Sequence, residues 1–204
     1  MNPESTAVLL IEYQNDFLKP NGAQYEAVRE VVESTGMVAN SLALAREARQ
    51  LGATIMLAPI SFADGYLELP REPYGILKGV VDSGAFKKGS WGAQIIDELA
   101  PQQGDIIIEG KKGLDCFMST DLDFILRARG ITDLAIAGLL TNCCVESTMR
   151  SAYERGYRVV TLVDCTATVS EEEQRVATQR DFAMFSRPMK HREFLAELEE
   201  DGAS

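Results

Sequence analysis

The sequence predicts a three-layer α/β/α sandwich on a mainly parallel sheet of about six strands, in a single domain spanning residues 1–204. Short, continuous apolar runs such as Ala7 to Ile11 and Asp133 to Ala137 read as strands covered on both faces. Segments with helical spacing alternate with these runs, the pattern of βαβ units with right-handed crossovers. A chain of 204 residues with 46% hydrophobic content is long enough for one packed core, and no Pro/Gly/Ser-rich linker divides it.

Taken in order, Ala7 to Ile11 is the first strand, ending abruptly in Glu12-Tyr13-Gln14-Asn15-Asp16-Phe17. Thr35 to Gln50 carries Met37, Val38, Ser41, Leu42, Ala45 and Ala48 at helical spacing and closes at Leu51-Gly52. Thr54 to Ala58 is the second strand. From Pro59 to Ser90 seven glycines and prolines at 65, 70, 73, 75, 79, 84 and 89 read as an irregular loop, of a length that is usually functional or an interface. Trp91 to Leu99 is expected to be a short helix, ended by Pro101, and Asp105 to Glu109 is the third strand. Ser119 or Thr120 caps a helix with Leu122, Ile125 and Leu126 inward, ending at Gly130. Asp133 to Ala137 is the fourth strand. A helix containing Cys144 runs to about Arg155 before Gly156, and Arg158 to Val163 is the fifth strand. Ser170 caps a helix from Glu171 to about Phe182, and Glu193 to Glu199 forms a final short helix.

Charge and composition narrow the function. The net charge is −11 and the basic residues form no stripe, so nucleic acid and anionic membranes are poor partners. The first residues lack the charged start and apolar run of a signal peptide, and no stretch approaches a membrane span; a cytoplasmic protein is expected. Four cysteines, two of them adjacent, make no disulfide or zinc pattern. The single histidine, His191, lies far from every candidate catalytic segment, which excludes a His-rich zinc centre and leaves lysine and carboxylate to assist a cysteine nucleophile.

Cys144 stands where the fourth strand passes through Gly138-Leu139-Leu140-Thr141-Asn142-Cys143 into a helix. Backbone N–H groups and the helix dipole at such a position are expected to lower the thiol pKa and can hold an oxyanion. Cys143 points about 100° away around the helix, toward packing or a neighbouring part of the pocket, and Cys116 and Cys165 read as core or as positions just behind the site. Glu12 follows the first strand and Lys111 the third. Ligands of parallel sheets collect at the carboxyl ends of strands, so Glu12, Lys111 and Cys144 are expected to converge. A buried glutamate needs a partner, for which Lys111 is the nearest cation; Asp16 reads as a cap or salt-bridge partner. Tyr13, Phe17, Phe62, Phe117 and Leu140 are candidates for an apolar substrate pocket, with ordinary core as the alternative for Phe17. The apolar content of residues 62–90, including Tyr66, Leu67, Tyr74 and Phe86, points to a homo-oligomer in which a partner subunit covers this loop.

The segments Leu9 to Phe17, Lys111 with Ser119-Thr120-Asp121-Leu122, and Gly138 to Thr148, in that order and over most of the chain, resemble the isochorismatase-like cysteine hydrolases, whose sheet is Rossmann-like. The resemblance implies an acid, lysine and cysteine triad at Glu12, Lys111 and Cys144, attack of the thiol on a carbonyl, a thioester, and release of an acid by water. It also implies a cis peptide at Leu139–Leu140 and an oxyanion hole from the backbone N–H groups of Leu140 and Cys144.

Two departures stand out. The family usually has aspartate where this chain has Glu12, and the extra methylene must move the carboxylate or the strand by about an ångström, enough to alter proton transfer. Pro59-Ile60-Ser61-Phe62-Ala63-Asp64 replaces the metal-binding histidines of the nicotinamidase branch, so no metal and no cofactor are expected. The leading reading is hydrolysis of a carbon–nitrogen bond in a small amide. The alternatives are an isochorismatase-type vinyl-ether hydrolase and a non-catalytic small-molecule-binding protein on the same fold.

Overall fold

Every residue of β1 (Thr6–Ile11) is buried, because parallel strands pair on both sides of it and helices cover both faces. In the computed structural model, which describes residues 1–202, β1 lies between β2 (Thr54–Ala58) and β4 (Asp133–Leu139), with Ile11 opposite both Ala58 and Gly138. The edge strand β3 (Ile106–Ile107) joins β2, while β5 (Arg158–Ala167) and β6 (Arg187–Met189) extend the other side. All pairings are parallel and the order is β3-β2-β1-β4-β5-β6.

The period-two alternation of a strand divides the core. Val8 and Leu10 point toward α2 (Tyr25–Thr35), α3 (Met37–Gln50) and α8 (His191–Gly202), while Ala7, Leu9 and Ile11 point toward α5 (Leu122–Ala128), α6 (Glu146–Glu154) and the segment after α7 (Glu171–Val176). The remaining helices, α1 (Asn15–Leu18) and α4 (Gly75–Ser83), lie beyond the carboxyl ends of the strands. Among the described residues no helix is long and apolar enough to cross a membrane.

The structure departs from the sequence expectation in definite places. Residues 91–99 form turns and a single 3-10 turn at Asp97–Leu99 instead of a helix. Their backbone is used elsewhere: the carbonyls of Gly92 and Gln94 accept from Asp16 and Asn15 (both 2.9 Å), and the Ile96 N–H donates to Tyr13 (3.0 Å). Conversely, α4 stands inside the segment expected to be irregular. Its Ile76, Leu77 and Val80 have helical spacing, obscured by flanking Gly75 and Gly84. The helix expected over Thr35 to Gln50 is α3, beginning at Met37, and a helix that the sequence reading did not place, α2, precedes it across Gly36 in the left-handed region (φ 65°). The helix after Ser170 is capped as expected, Ser170 Oγ accepting from Glu173 N at 3.2 Å, but passes through a π turn at Ala177–Asp181. Within residues 62–90, Tyr66 and Phe86 are buried by the chain itself, whereas Leu67 and Tyr74 are exposed.

Candidate active site

Strand order reverses at β1: the chain leaves it toward β2 and β3, then returns to place β4 on its other side. A crevice outside the carboxyl ends of β1 and β4 follows from that topology. The two strands approach closely there because residue 138 is glycine: its φ is 134°, and a Cβ would lie 2.1 Å from the Ile11 carbonyl oxygen.

Glu12 takes the first position after β1. It is 3% exposed and adopts a left-handed φ of 60°, a conformation costly for a residue with a Cβ. Its N–H donates to the Ala58 carbonyl at 3.1 Å, which turns the chain out of the sheet while the side chain stays inside. Lys111, 1% exposed, arrives from the far side of β2 and pairs with Glu12 Oε1; its ammonium also donates to the Gly113 carbonyl at 2.7 Å. Burial alone would push the Lys111 pKa down, but its acidic neighbours, Cys144 once ionised and Glu12, outweigh it and hold the ammonium above its ordinary value.

After β4 the Leu139–Leu140 peptide is cis, and a π turn, Thr141–Val145, leads into α6. Such turns insert one residue into a helix and are frequent at functional sites. The Leu140 carbonyl accepts from the N–H groups of Cys143 (3.0 Å) and Val145 (3.2 Å). Side chains that sequence reasoning did not single out brace the turn. Thr141 Oγ1 donates to Gln174 Oε1 at 2.6 Å, Gln174 Nε2 donates to the Thr166 carbonyl at 3.2 Å, and Thr168 Oγ1 donates to Asn142 Oδ1 at 2.6 Å.

Cys144 is 4% exposed in this turn. Its pKa lies well above the ordinary thiol value, not below it as its position near a helix start suggested. A hydrogen bond shared with Cys143, burial and the Glu12 carboxylate all raise it, and Lys111 only partly offsets them. The same shared bond pushes the more accessible Cys143 down. A thiol held above its ordinary value needs a nearby base to take its proton when it attacks.

Glu12 and Cys144 open onto one cavity of about 180 Å³. Phe17 and Leu140 are on its wall. Tyr13, Phe62 and Phe117 are not. Tyr13 is buried on the α3 side, its hydroxyl 2.6 Å from Ser41 Oγ and donating to the Cys165 carbonyl at 2.9 Å. Phe62 packs against Tyr66, and Phe117 stacks on Tyr157 beneath Arg155. These aromatics are core because their backbones lie where the sheet faces are already covered. The wall instead includes Ile76, Leu77 and Val80 of α4 and Val169 after β5; the helical spacing of the first three was the available signal. Asp16 accepts from the backbone N–H groups of Ala23 (3.0 Å) and Phe86 (2.7 Å); it binds turn amides instead of capping a helix, the N-cap of α2 being Gln24.

Two other features lie away from this site. A wider surface depression, about 590 Å³, sits beside Asp133, Tyr153, Arg158, Ser186 and Arg187. Among the described residues, Asp164, Cys165 and His191 form the one group of metal-ligating side chains close enough to share an ion. There the Asp164 carboxylate is already engaged, accepting from the His191 N–H at 2.9 Å and lying 2.8 Å from His191 Nδ1.

Comparison with known proteins accords with this geometry. The Isochorismatase domain family matches residues 6–193. A cysteine hydrolase from Pseudomonas syringae pv. phaseolicola is 25% identical, with 98% of this chain and 95% of that chain covered and a TM-score of 0.84. An isochorismatase family protein from Burkholderia thailandensis is 27% identical over 98% and 97% of the two chains, with a TM-score of 0.71. The fold is also that of N-carbamoylsarcosine amidase from Thermoplasma acidophilum (24% identity, 94% and 97% covered, TM-score 0.70). A match running from the first residue of β1 into α8 leaves little of the chain outside it, and the protein belongs to the isochorismatase family.

Proposed function

We propose that this protein hydrolyses the carbon–nitrogen bond of a small amide, with Cys144 as nucleophile, Glu12 as general base and acid, and Lys111 as the cation that positions Glu12. The observation that carries this reading is the buried Lys111–Glu12 pair beside a buried thiol on one cavity. The similarity to a cysteine hydrolase supports it.

The chemistry balances with these groups alone. Cys144 Sγ attacks the amide carbonyl carbon as its proton passes to Glu12, and the oxyanion is held by the backbone N–H groups of Leu140 and Cys144. The C–N bond then breaks, the leaving nitrogen takes the proton from Glu12, and a thioester remains on Cys144. Water attacks the thioester, giving a proton to Glu12. The C–S bond breaks, the acid product leaves, and Glu12 returns the proton to the sulfur. A thiol held above its ordinary pKa requires such a base, since the nucleophile must be generated within the complex.

The test is a primary-amide hydrolysis assay coupled to peptide mass spectrometry of the acylated intermediate. Wild type is expected to release ammonia and carry the acyl mass on the Cys144 peptide, and Cys144→Ala to lose both while unfolding near the wild-type temperature. Full amide turnover in Cys144→Ala would overturn the mechanism.

A further inference from the structure

The cavity at Cys144 is chemically one-sided. Of the side chains on its wall, only Glu12 is charged, and it is already paired with Lys111. The thiol aside, only Gln24 is otherwise polar, and its Nε2 is bonded to Ser83 Oγ at 2.7 Å. Everything else there is apolar, including Phe17, Ile76, Leu77, Val80, Leu140 and Val169. A substrate carboxylate entering this space would lose water and find no unpaired cation on the wall, an arrangement that disfavours it. Apolar surface of the same size would gain from burial. The volume sets a limit as well: an apolar cavity of about 150 Å³ in another protein admits one benzene, and this one is about 180 Å³.

We propose that the substrate is an uncharged amide whose acyl group is apolar and no larger than about a benzene ring, and that α4 sets this specificity through Ile76, Leu77 and Val80. The inference rests on the amide-hydrolase reading for its reaction, but its content is the selectivity of the pocket. α4 suits the role. It lies outside the sheet, held at its ends by Gly75 and Gly84, so its side chains can change without disturbing the strands that carry Glu12 and Cys144. Ile76 is 42% exposed, at the boundary between cavity and solvent.

The experiment compares primary amides that share ammonia as leaving group: isovaleramide and benzamide as uncharged apolar acyl groups, succinamate as the carboxylate-bearing one, and 2-naphthamide as the oversized one. Wild type is expected to prefer benzamide or isovaleramide to succinamate by at least about 100-fold in kcat/KM, and to reject 2-naphthamide. Leu77→Ala should admit 2-naphthamide, and Ile76→Lys should narrow the preference against succinamate by about 10-fold. Equal hydrolysis of succinamate and isovaleramide, or a size limit unmoved in Leu77→Ala, overturns the proposal and leaves the hydrolase reading standing. Thermal-shift titration of the same amides separates the two ideas further. Apolar amides that bind selectively without turnover would support the pocket and remove the reaction. Absence of both selective binding and turnover would overturn both.

Discussion

A Cβ on Gly138 would lie 2.1 Å from the carbonyl oxygen of Ile11, so the carboxyl ends of β1 and β4 meet only because residue 138 has no side chain. That approach puts Glu12, one residue beyond Ile11, beside the turn that carries Cys144. Gly138→Ala must open the pair and also force a left-sided φ on alanine. It is expected to destabilise the protein by about 3 kcal/mol or more, read as a lower urea midpoint, with residual activity falling further than the folded fraction. A variant as stable as wild type would show that the strands can separate freely.

The Lys111–Glu12 pair has side-chain exposures of 0% and 3%. Lys111→Met strands a buried carboxylate and is expected to cost about 3–5 kcal/mol. Adding Glu12→Gln to the same protein removes the stranded charge and should return most of that stability, but none of the activity. Chemical denaturation of the two singles and the double at neutral pH checks this. A double mutant as unstable as Lys111→Met would mean that packing, rather than charge, dominates the pair.

Alkaline pH should weaken the fold. Burial pushes Cys116 up to about 11, with Lys111 only partly opposing it, and Cys144 is also raised by its Cys143 hydrogen bond and burial. A raised pKa means that the folded state keeps its proton after the unfolded chain, with thiols near pH 8.5, has released it. Their contribution is therefore intact below about pH 8.5 and is lost progressively above it, through pH 11 for Cys116, each such thiol removing up to about 1.4 kcal/mol per pH unit. Urea unfolding at pH 8, 9 and 10 should show the decline, with a shallower slope in Cys116→Ala. A flat profile would contradict the burial argument.

The same electrostatics order the two adjacent thiols. Cys143 is pushed below its ordinary value and Cys144 above it, so iodoacetamide near neutral pH is expected to modify Cys143 first and Cys144 slowly. Peptide mass spectrometry over time reads the order; faster modification of Cys144 would place the thiolate there instead.

Gln174 joins Thr141 to β5 through Thr141 Oγ1 and the Thr166 carbonyl. Gln174→Ala leaves the buried Thr141 hydroxyl without its acceptor, a loss of about 1–3 kcal/mol, and loosens the turn ahead of Cys144. The expected signature is kcat lowered by about ten-fold with KM little changed. Gln174→Glu, which keeps the acceptor, should recover part of kcat, whereas a purely structural role would leave kcat per folded molecule unchanged in both.

Much of the architecture was legible because buried parallel strands are written as uninterrupted apolar runs: Ala7 to Ile11, Thr54 to Ala58 and Asp133 to Ala137 stand almost where β1, β2 and β4 do. The errors share a cause. Trp91 to Leu99 has helical composition, but its carbonyls are claimed by Asn15 and Asp16, residues more than seventy positions away. The three-residue β6 (Arg187–Met189) carries no pattern of its own and is a strand only because Val160, Thr161 and Leu162 lie alongside it.

At the site, the sequence by itself determined which groups could do chemistry. Glu12, Lys111 and Cys144 each interrupt or follow a strand, and with one histidine in the chain few other reactive groups were on offer. Only the tertiary structure decided how those groups behave. The thiol was expected to be acidic from its place near a helix start, a local effect that fades within a turn, and is instead raised above its ordinary value by the Cys143 hydrogen bond, burial and Glu12. Of the residues expected around the pocket, Phe17 and Leu140 line the cavity while Tyr13, Phe62 and Phe117 do not, and Ile76, Leu77 and Val80 of α4 with Val169 complete the wall. Local periodicity reports which face of an element is covered; a pKa or a cavity depends on what covers it, and that is set by contacts between residues far apart in the chain.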